Sequence, residues 1–137
     1  MKYFRDGERE CLACGERFET FWVRRGHRSD YCSDCLNRYV ADHRRTMRFE
    51  VVKALGGTCQ CPGGCTEHRM SMLDIDHVQN DGQAHRRQFP DAARMLTHIK
   101  AQGYPPGKYR VLCSNCNQSR RRLGGRCEHE WEKAARE

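Results

Sequence analysis

Two short stretches carry residues whose types could do chemistry. Residues 73–77 alternate apolar and acidic side chains and end in Asp76-His77, and residues 111–117 end in Asn117. A neutral imidazole, here that of His77, can deprotonate a water molecule near neutral pH. Carboxylate and amide oxygens, as in Asp76 and Asn117, are the ligands that hard divalent cations prefer. These residues predict a metal-assisted centre for hydrolysing phosphodiesters.

This centre needs a scaffold, because Asn117 comes 40 residues after His77. One cysteine pair precedes the first stretch and another lies within the second, at spacings that suit zinc ligands. The second pair ends directly before Asn117, so a four-thiolate zinc site would hold the two stretches together. The predicted ligands are Cys61, Cys65, Cys113 and Cys116.

The first of these pairs has an alternative. Cys59, Cys61 and Cys65 lie close together, and the sequence alone does not decide which two bind zinc. Cys59 with Cys61 is one candidate half-site. The Pro-Gly-Gly segment between Cys61 and Cys65 can form the turn that a zinc knuckle needs, which favours that pair.

A second zinc site is predicted near the N-terminus, where a CxxC-x17-CxxC spacing falls in the range of zinc ribbons. The first residues have no apolar segment of a secretory signal, so we expect a cytoplasmic protein whose thiols stay reduced. That compartment favours zinc over disulfides. Residues 18–23 predict a small strand or hairpin, and the basic tip around Gly26 is either a phosphate contact or a solvated loop. The predicted ligands are Cys11, Cys14, Cys32 and Cys35.

Composition agrees with metal-stabilised modules. Only 37% of the 137 residues are hydrophobic and 31% are charged, so a large apolar core is not expected, whereas ten cysteines offer another source of stability. The formal net charge of +7 suggests a polyanionic partner. Eight zinc-bound thiolates and two zinc ions would lower that charge to about +3. Nucleic-acid binding would therefore depend on where the basic residues cluster and not on the net charge.

Both helices and strands must position these residues. A cap at Ser33 or Asp34 and a stop at Gly56-Gly57 bound one long helix. Asn80-Asp81-Gly82 is typical of a turn. No apolar run is long enough to span a membrane. Hydrophobic spacing predicts helices over residues 34–55, 90–102 and 117–123, and strands over residues 73–77 and 108–112.

Two basic clusters are candidates for contact with DNA. One follows the predicted turn, and the other lies on the last predicted helix. His85, beside the first cluster, could be a metal ligand, could face the scissile phosphate or could lie on the surface. The candidate DNA-binding residues are Arg86, Arg87, Arg120, Arg121 and Arg122.

The order Asp-His, then CxxC followed at once by Asn, resembles the HNH endonuclease family with its ββα-metal fold. The pattern resembles the phage recombination endonuclease branch and related small phage HNH proteins, so a bacterial host or a phage-infected cell is the expected setting. The resemblance covers about residues 57–127. It implies that Asp76 and Asn117 bind Mg²⁺ or Mn²⁺, that His77 is the general base, and that Arg120 contacts a phosphate. It also implies DNA as the partner, a structural zinc ion on the second set of four cysteines, and two antiparallel strands followed by a helix. With the N-terminal site, two structural zinc ions are expected.

The resulting prediction is an α+β chain of small zinc-stabilised modules. A zinc ribbon or treble-clef-like finger would span residues 1–35, a linking helix 36–56, the HNH domain 57–127 and a charged tail 128–137. Cutting both strands would require a homodimer. Many HNH proteins brace the base with an asparagine before the second strand, where this chain has Lys108 or Tyr109. The rival hypothesis is a non-catalytic zinc-finger protein that binds DNA or acts as an adaptor.

Overall fold

The computed structural model describes the backbone of residues 2–24 and 27–137 and the side chains of residues 9–18 and 29–137. The basic tip predicted around Gly26 lies outside the described residues. The chain divides into two compact units, Met1–Arg45 and Thr46–Glu137. The fold is mixed α+β with small sheets, which agrees with the predicted class.

The first unit contains a three-stranded antiparallel sheet in the order β1-β2-β3. Its strands are β1 (Lys2–Glu10), β2 (Arg17–Arg24) and β3 (His27–Arg28). A tight turn joins β1 to β2, in which the Gly15 N–H donates to the Cys11 carbonyl at 2.8 Å. Gly15 has a φ of 73°, which glycine adopts without steric cost. The predicted strand near residues 18–23 is confirmed by β2.

Helix α1 (Ser33–Ala54) begins and ends where the sequence predicts. Its C-terminus turns at Gly56 and Gly57, which have φ values of 120° and 64°. The Gly57 N–H closes the last turn on the Val52 carbonyl at 3.0 Å. Val51 and Val52 are fully buried and begin the core of the second unit.

The second unit is built on an antiparallel pair of strands, β4 (Leu73–His77) and β5 (Tyr109–Cys113). The alternation in residues 73–77 predicts β4 correctly, and Leu73 is its buried anchor. The helices of this unit are α2 (Gly82–Arg87), α3 (Ala92–Ala101), α4 (Ser114–Arg122) and α5 (Glu128–Ala134). Helix α4 packs against both strands.

Two elements differ from the sequence-based prediction. The segment after Asn80 continues as α2, because Asn80 takes a left-handed φ of 58° and reverses the chain. Helix α4 begins at Ser114 and not at Asn117, since the Cys113 sulfur accepts the Cys116 N–H and caps it. The charged tail contains helix α5.

The core of the second unit is small and rich in cysteine. Apolar residues from α1, α3 and both strands meet around Tyr109, which is 1% exposed. Five cysteine side chains belong to the same buried cluster, and the partly buried Cys65 packs against it. Among the described residues, none of the helices combines the length and the apolar character needed to cross a bilayer. The buried cysteines are Cys59, Cys61, Cys113, Cys116 and Cys127 in the second unit and Cys11 in the first.

Candidate active site and cysteine clusters

A groove of about 670 Å³ opens beside the end of β4. Asp76, His77 and Asn117 all line it, so the fold brings together three residues that are far apart in sequence. Four arginines contribute to the same wall. They are Arg86, Arg110, Arg120 and Arg121.

The register of β4 and β5 sets the surroundings of the Asp-His pair. Asp76 lies directly opposite Arg110, and His77 lies opposite Tyr109. Cross-strand neighbours of this kind are close enough for their side chains to interact. Arg110 Nε donates to Asp76 Oδ2 at 2.7 Å, and both side chains are 21% exposed. The metal-ligand candidate Asp76 therefore faces the groove beside a fixed positive charge.

The two ring nitrogens of His77 have different neighbours. Its Nε2 lies 2.9 Å from Nδ1 of His85, eight residues further along the chain. Its Nδ1 faces the first residue of α2, where a Cβ on Gly82 would approach to 2.8 Å. Because Gly82 has no side chain, α2 can begin directly against the His77 ring. Nε2 is thus the supported nitrogen, and Nδ1 is the nitrogen left to do chemistry.

His85 lies inside the protein, with 7% of its surface exposed. Its Nε2 is 3.4 Å from the Tyr109 hydroxyl, which in turn donates to Gln102 Oε1 at 3.4 Å. Phe89 packs edge-on against the His85 ring, with centroids 4.9 Å apart. The surface position considered for His85 is therefore wrong. Its contacts place it behind His77.

The environment keeps these imidazoles neutral. Burial lowers the pKa of His77 below its ordinary value of 6.5, and the carboxylates of Asp81 and Asp76 oppose that shift only in part. Burial also lowers the pKa of His85, with the neighbouring imidazoles of His77 and His98 adding to the effect. A neutral His77 is the form that can accept a proton.

Asp74 has a structural task, although it shares the acidic pattern of β4. Arg48 of α1 donates to Asp74 Oδ1 at 2.8 Å, and Ser114 Oγ donates to Asp74 Oδ2 at 2.9 Å. Arg48 also donates to the Leu73 carbonyl. Asp74 thereby joins α1, β4 and the start of α4.

Asn117 lies in the first half of α4, on the side that faces the groove. Its side-chain amide makes no hydrogen bond with any residue that the structure describes. The zinc-ligand candidate Cys116 directly precedes it and is 1% exposed. The amide oxygen of Asn117 is thus available to a ligand in the groove.

The five candidate DNA-binding arginines divide into different environments. Arg86 and Arg121 line the groove, whereas Arg87 and Arg122 are exposed and are not part of its lining. Arg120 also lines the groove, but its Nη1 pairs with Glu130 Oε2 at 2.5 Å, and both side chains are mostly buried. That ion pair attaches α4 to α5, so Arg120 has a structural partner inside the protein.

The first unit contains a cysteine tetrad with suitable geometry for a metal ion. Its four sulfurs lie within 4.8 Å of one another, and Cys14 Sγ and Cys32 Sγ are 3.9 Å apart. Burial opposes ionisation of Cys11, but backbone N–H groups outweigh it and lower the pKa of that thiol to about 6. The tetrad is the predicted one: Cys11, Cys14, Cys32 and Cys35.

The second unit contains a tetrad that differs from the predicted one by a single member. Cys59 takes the place of Cys61, because Gln60 pairs with Val111 of β5 on both its backbone and its side chain. That pairing brings Cys59 Sγ to 3.2 Å from the Cys113 N–H. The corrected tetrad is Cys59, Cys65, Cys113 and Cys116, again within 4.8 Å.

A further metal-competent group was missed by the sequence-based prediction. Cys61 lies against Cys127, with sulfurs 3.0 Å apart, and His129 Nδ1 lies 3.3 Å from Cys116 Sγ. The Cys-x-His spacing at residues 127–129 was the available signal, but the segment looked like a charged tail. The group is Cys61, Cys116, Cys127 and His129.

Comparison with known proteins adds no relative. No protein-family model, curated protein or solved structure matches the chain. What the protein does must therefore be argued from the groove and the cysteine clusters themselves.

Proposed function

We propose that this protein is a metal-dependent DNA endonuclease of the HNH type, with zinc-stabilised modules around one active site. The observation that carries the proposal is the convergence of Asp76, His77 and Asn117 on one groove. An imidazole, a carboxylate and an amide are a set that can supply a general base and oxygen ligands for a hard cation, the two parts that hydrolyse a phosphodiester in this way.

In this proposal His77 is the general base and acts through Nδ1. For Nδ1 to accept a proton, Nε2 must carry one and donate it to His85 Nδ1 at 2.9 Å. His85 then carries its own proton on Nε2, facing the Tyr109 hydroxyl, and that hydroxyl donates to Gln102. Every donor in this series meets an acceptor, so one tautomer of each histidine satisfies the whole chain.

His85 thereby supplies the brace that the sequence lacks at Lys108 or Tyr109. It holds the ring of His77 and its tautomer without touching the substrate. In this role His85 is a positioning residue.

Asp76 and Asn117 fit a hard divalent cation such as Mg²⁺ or Mn²⁺, because both offer oxygen ligands. Such a cation would stabilise negative charge on the phosphoryl and leaving oxygens. Asp76 keeps its second oxygen available, since Arg110 Nε donates to Oδ2. The Asn117 amide has no competing partner among the described side chains.

The groove is also suited to a nucleic-acid backbone. Arg86 and Arg121 line it as exposed cations, and phosphate contacts from arginine position a protein on DNA without reading its sequence. The N-terminal zinc module would add affinity and not chemistry in this scheme.

Plasmid cleavage tests the proposal. Zinc-loaded wild type is incubated with supercoiled plasmid and Mg²⁺ or Mn²⁺, beside His77→Ala and the control His68→Ala, whose side chain is exposed. We expect nicking by wild type and by His68→Ala, and none by His77→Ala with unchanged zinc content. If wild type is as inert as His77→Ala with every metal and DNA form, yet binds DNA, the non-catalytic zinc-finger protein is the correct alternative.

A further inference from the structure

Six side chains of the second unit that could bind a metal lie around one buried sulfur, that of Cys116. We propose that Cys116 bridges two zinc ions. One ion is held by Cys59, Cys65, Cys113 and Cys116, and the other by Cys61, Cys116, Cys127 and His129. This inference does not depend on nuclease activity.

The tetrad of Cys59, Cys65, Cys113 and Cys116 has the spacing of a tetrahedral zinc site. With Zn–S bonds of about 2.3 Å, tetrahedral geometry puts ligand sulfurs about 3.8 Å apart. Cys65 Sγ and Cys113 Sγ are 3.9 Å apart. Backbone N–H groups support the sulfurs, since the N–H of Cys113 donates to Cys59 and that of Cys116 donates to Cys113.

The second half offers three sulfurs and one imidazole nitrogen within 4.8 Å. Cys116 Sγ lies 3.3 Å from His129 Nδ1, close to the spacing of about 3.6 Å that tetrahedral zinc requires for sulfur and nitrogen. Cys61 Sγ and Cys127 Sγ are 3.0 Å apart, longer than the roughly 2.05 Å of a disulfide bond. For both sulfurs to bind the same zinc ion, the distance between them must increase by less than about 1 Å. A small rotation of either side chain provides that increase.

The backbone is built to bring these ligands together. Gly63 sits so close to α5 that a Cβ there would lie 2.4 Å from the carbonyl carbon of His129. Glu130 fixes the start of α5, because it accepts from the Cys127 N–H at 2.7 Å and from Arg120. The loop after Cys61 and the first turn of α5 therefore meet at a contact that only glycine permits.

Charge and burial favour sharing of the central sulfur. Cys61, Cys116 and Cys127 are each at most 5% exposed, and isolated buried thiolates are costly. Six thiolates and two Zn²⁺ ions leave a charge of only −2, because one sulfur serves both metals. With a single zinc on the first tetrad, the sulfurs of Cys61 and Cys127 would stay buried without a metal ion to stabilise their thiolate forms.

The cluster would also hold helix α5 in place. Helix α5 has no buried residue of its own and is seven residues long, so burial of apolar side chains does little to hold it. A zinc ion on Cys127 and His129 would fasten it to the base of α4. The residue that follows Cys116 is Asn117, so the same cluster would fix the groove wall that carries Asn117.

Zinc stoichiometry tests the proposal without any activity assay. Native mass spectrometry of the full chain, purified reduced and with zinc, should give three zinc ions, including one on the N-terminal tetrad. His129→Ala should lose one ion, and His129→Cys, which restores a ligand, should keep all three. The matched control His68→Ala, an exposed histidine on the same surface, should also keep three.

Cadmium substitution tests the bridge itself. In ¹¹³Cd NMR of the cadmium-loaded chain, two of the three resonances should be split by coupling to each other through the Cys116 sulfur. Uncoupled resonances would overturn the shared ligand. An unchanged metal count in His129→Ala, or a denatured mass two hydrogens lighter owing to a Cys61–Cys127 disulfide, would overturn the second zinc.

Discussion

Nε2 of His77 and Nδ1 of His85 lie 2.9 Å apart, and His85 is buried against Tyr109 and Phe89. A base at the end of a strand can rotate, and this contact prevents it. His77 therefore lines the groove, whereas His85 supports it from behind and does not line the groove.

Replacing His85 should therefore slow the chemical step and leave DNA binding intact. We expect His85→Ala to lower the single-turnover cleavage rate by about 10- to 100-fold, the usual cost of losing a residue that orients a functional imidazole. The dissociation constant for DNA should stay within about twofold, because His85 does not line the groove.

The control for this experiment is His98→Ala. His98 touches the His85 ring, with centroids 5.6 Å apart, but makes no hydrogen bond to His77. Its loss should change the rate by less than about threefold, since no orienting hydrogen bond is removed. His85→Gln, which can still accept from Nε2, should recover part of the rate. Equal rates for wild type and His85→Ala would contradict the bracing role.

The pH dependence of cleavage should report the buried state of His77. Burial lowers the pKa of His77 below 6.5, so the neutral base predominates at pH 7. The single-turnover rate should be flat near neutrality and fall about tenfold per pH unit only below that lowered pKa. An acid limb centred at or above pH 6.5 would contradict this environment.

A second variant checks the sign of that shift. The Asp81 carboxylate raises the pKa of His77 and so opposes burial. Asp81→Asn should therefore move the acid limb to lower pH. The Asp81 side chain makes no capping hydrogen bond to α2, so the substitution leaves that helix its backbone contacts. A shift to higher pH in Asp81→Asn would show that another group sets the acid limb.

Adding one methyl group at Gly82 should disturb the base. A Cβ there would meet His77 Nδ1 at 2.8 Å and Cγ at 3.3 Å, closer than unstrained contacts allow. Because His85 holds the opposite edge of the ring, the ring cannot simply move away. We expect Gly82→Ala to reduce kcat by at least about tenfold, as small misplacements of catalytic groups do.

Gly107→Ala is the matched control, because a Cβ at Gly107 meets nothing within 4 Å. Its cleavage rate should equal that of wild type. Thermal unfolding of both variants should be compared, so that a loss of fold is separated from a displaced base. Full activity in Gly82→Ala would mean that the His77 ring has more freedom than these contacts permit.

The groove residues were accessible to sequence reasoning because local patterns mark them. The alternation of apolar and acidic side chains predicts β4 and its end at Asp76-His77. A CxxC at the end of β5 indicates the turn into α4. Both signals lie within a few residues of the candidate catalytic side chains. That is why Asp76, His77 and Asn117 could be named before their surroundings were known.

The support of the site was not accessible in the same way. His85 reaches His77 only because Asn80 adopts a left-handed conformation and α2 folds back, and neither is marked by apolar spacing. The choice of Cys59 over Cys61 depends on Gln60 pairing with Val111, 51 residues away. Tertiary contacts of this range decide between neighbouring cysteines that the sequence leaves equivalent.

Asp74 should matter for stability and not for chemistry. It accepts from Arg48 at 2.8 Å and from Ser114 at 2.9 Å, so Asp74→Asn weakens a link among α1, β4 and α4. These side chains are about one-third exposed, at 33% and 35% for Arg48 and Asp74. We expect a loss of about 1 to 2 kcal/mol in the free energy of unfolding, the range for a partly buried hydrogen-bonded charge.

Urea denaturation of zinc-saturated protein measures this loss. Glu50→Gln is the control, because the Lys100–Glu50 pair in the same unit is more exposed, at 52% and 46%. Its loss should stay below about 0.5 kcal/mol. If the two variants unfold at the same urea concentration, Asp74 does not hold the three elements together.

The arginines of α4 should contribute unequally to DNA affinity, although they are consecutive in sequence. Arg121 lines the groove, whereas Arg122 is exposed outside it and Arg120 is paired with Glu130. Arg121→Ala should weaken binding of a short duplex and lower the slope of log affinity against log salt by about one, as loss of one phosphate contact does. Arg122→Ala removes the same charge from the same helix, so it isolates position from net charge. Fluorescence anisotropy between 50 and 200 mM salt (about the range where such slopes are resolved) measures both variants, and equal slopes would place the DNA elsewhere than this groove.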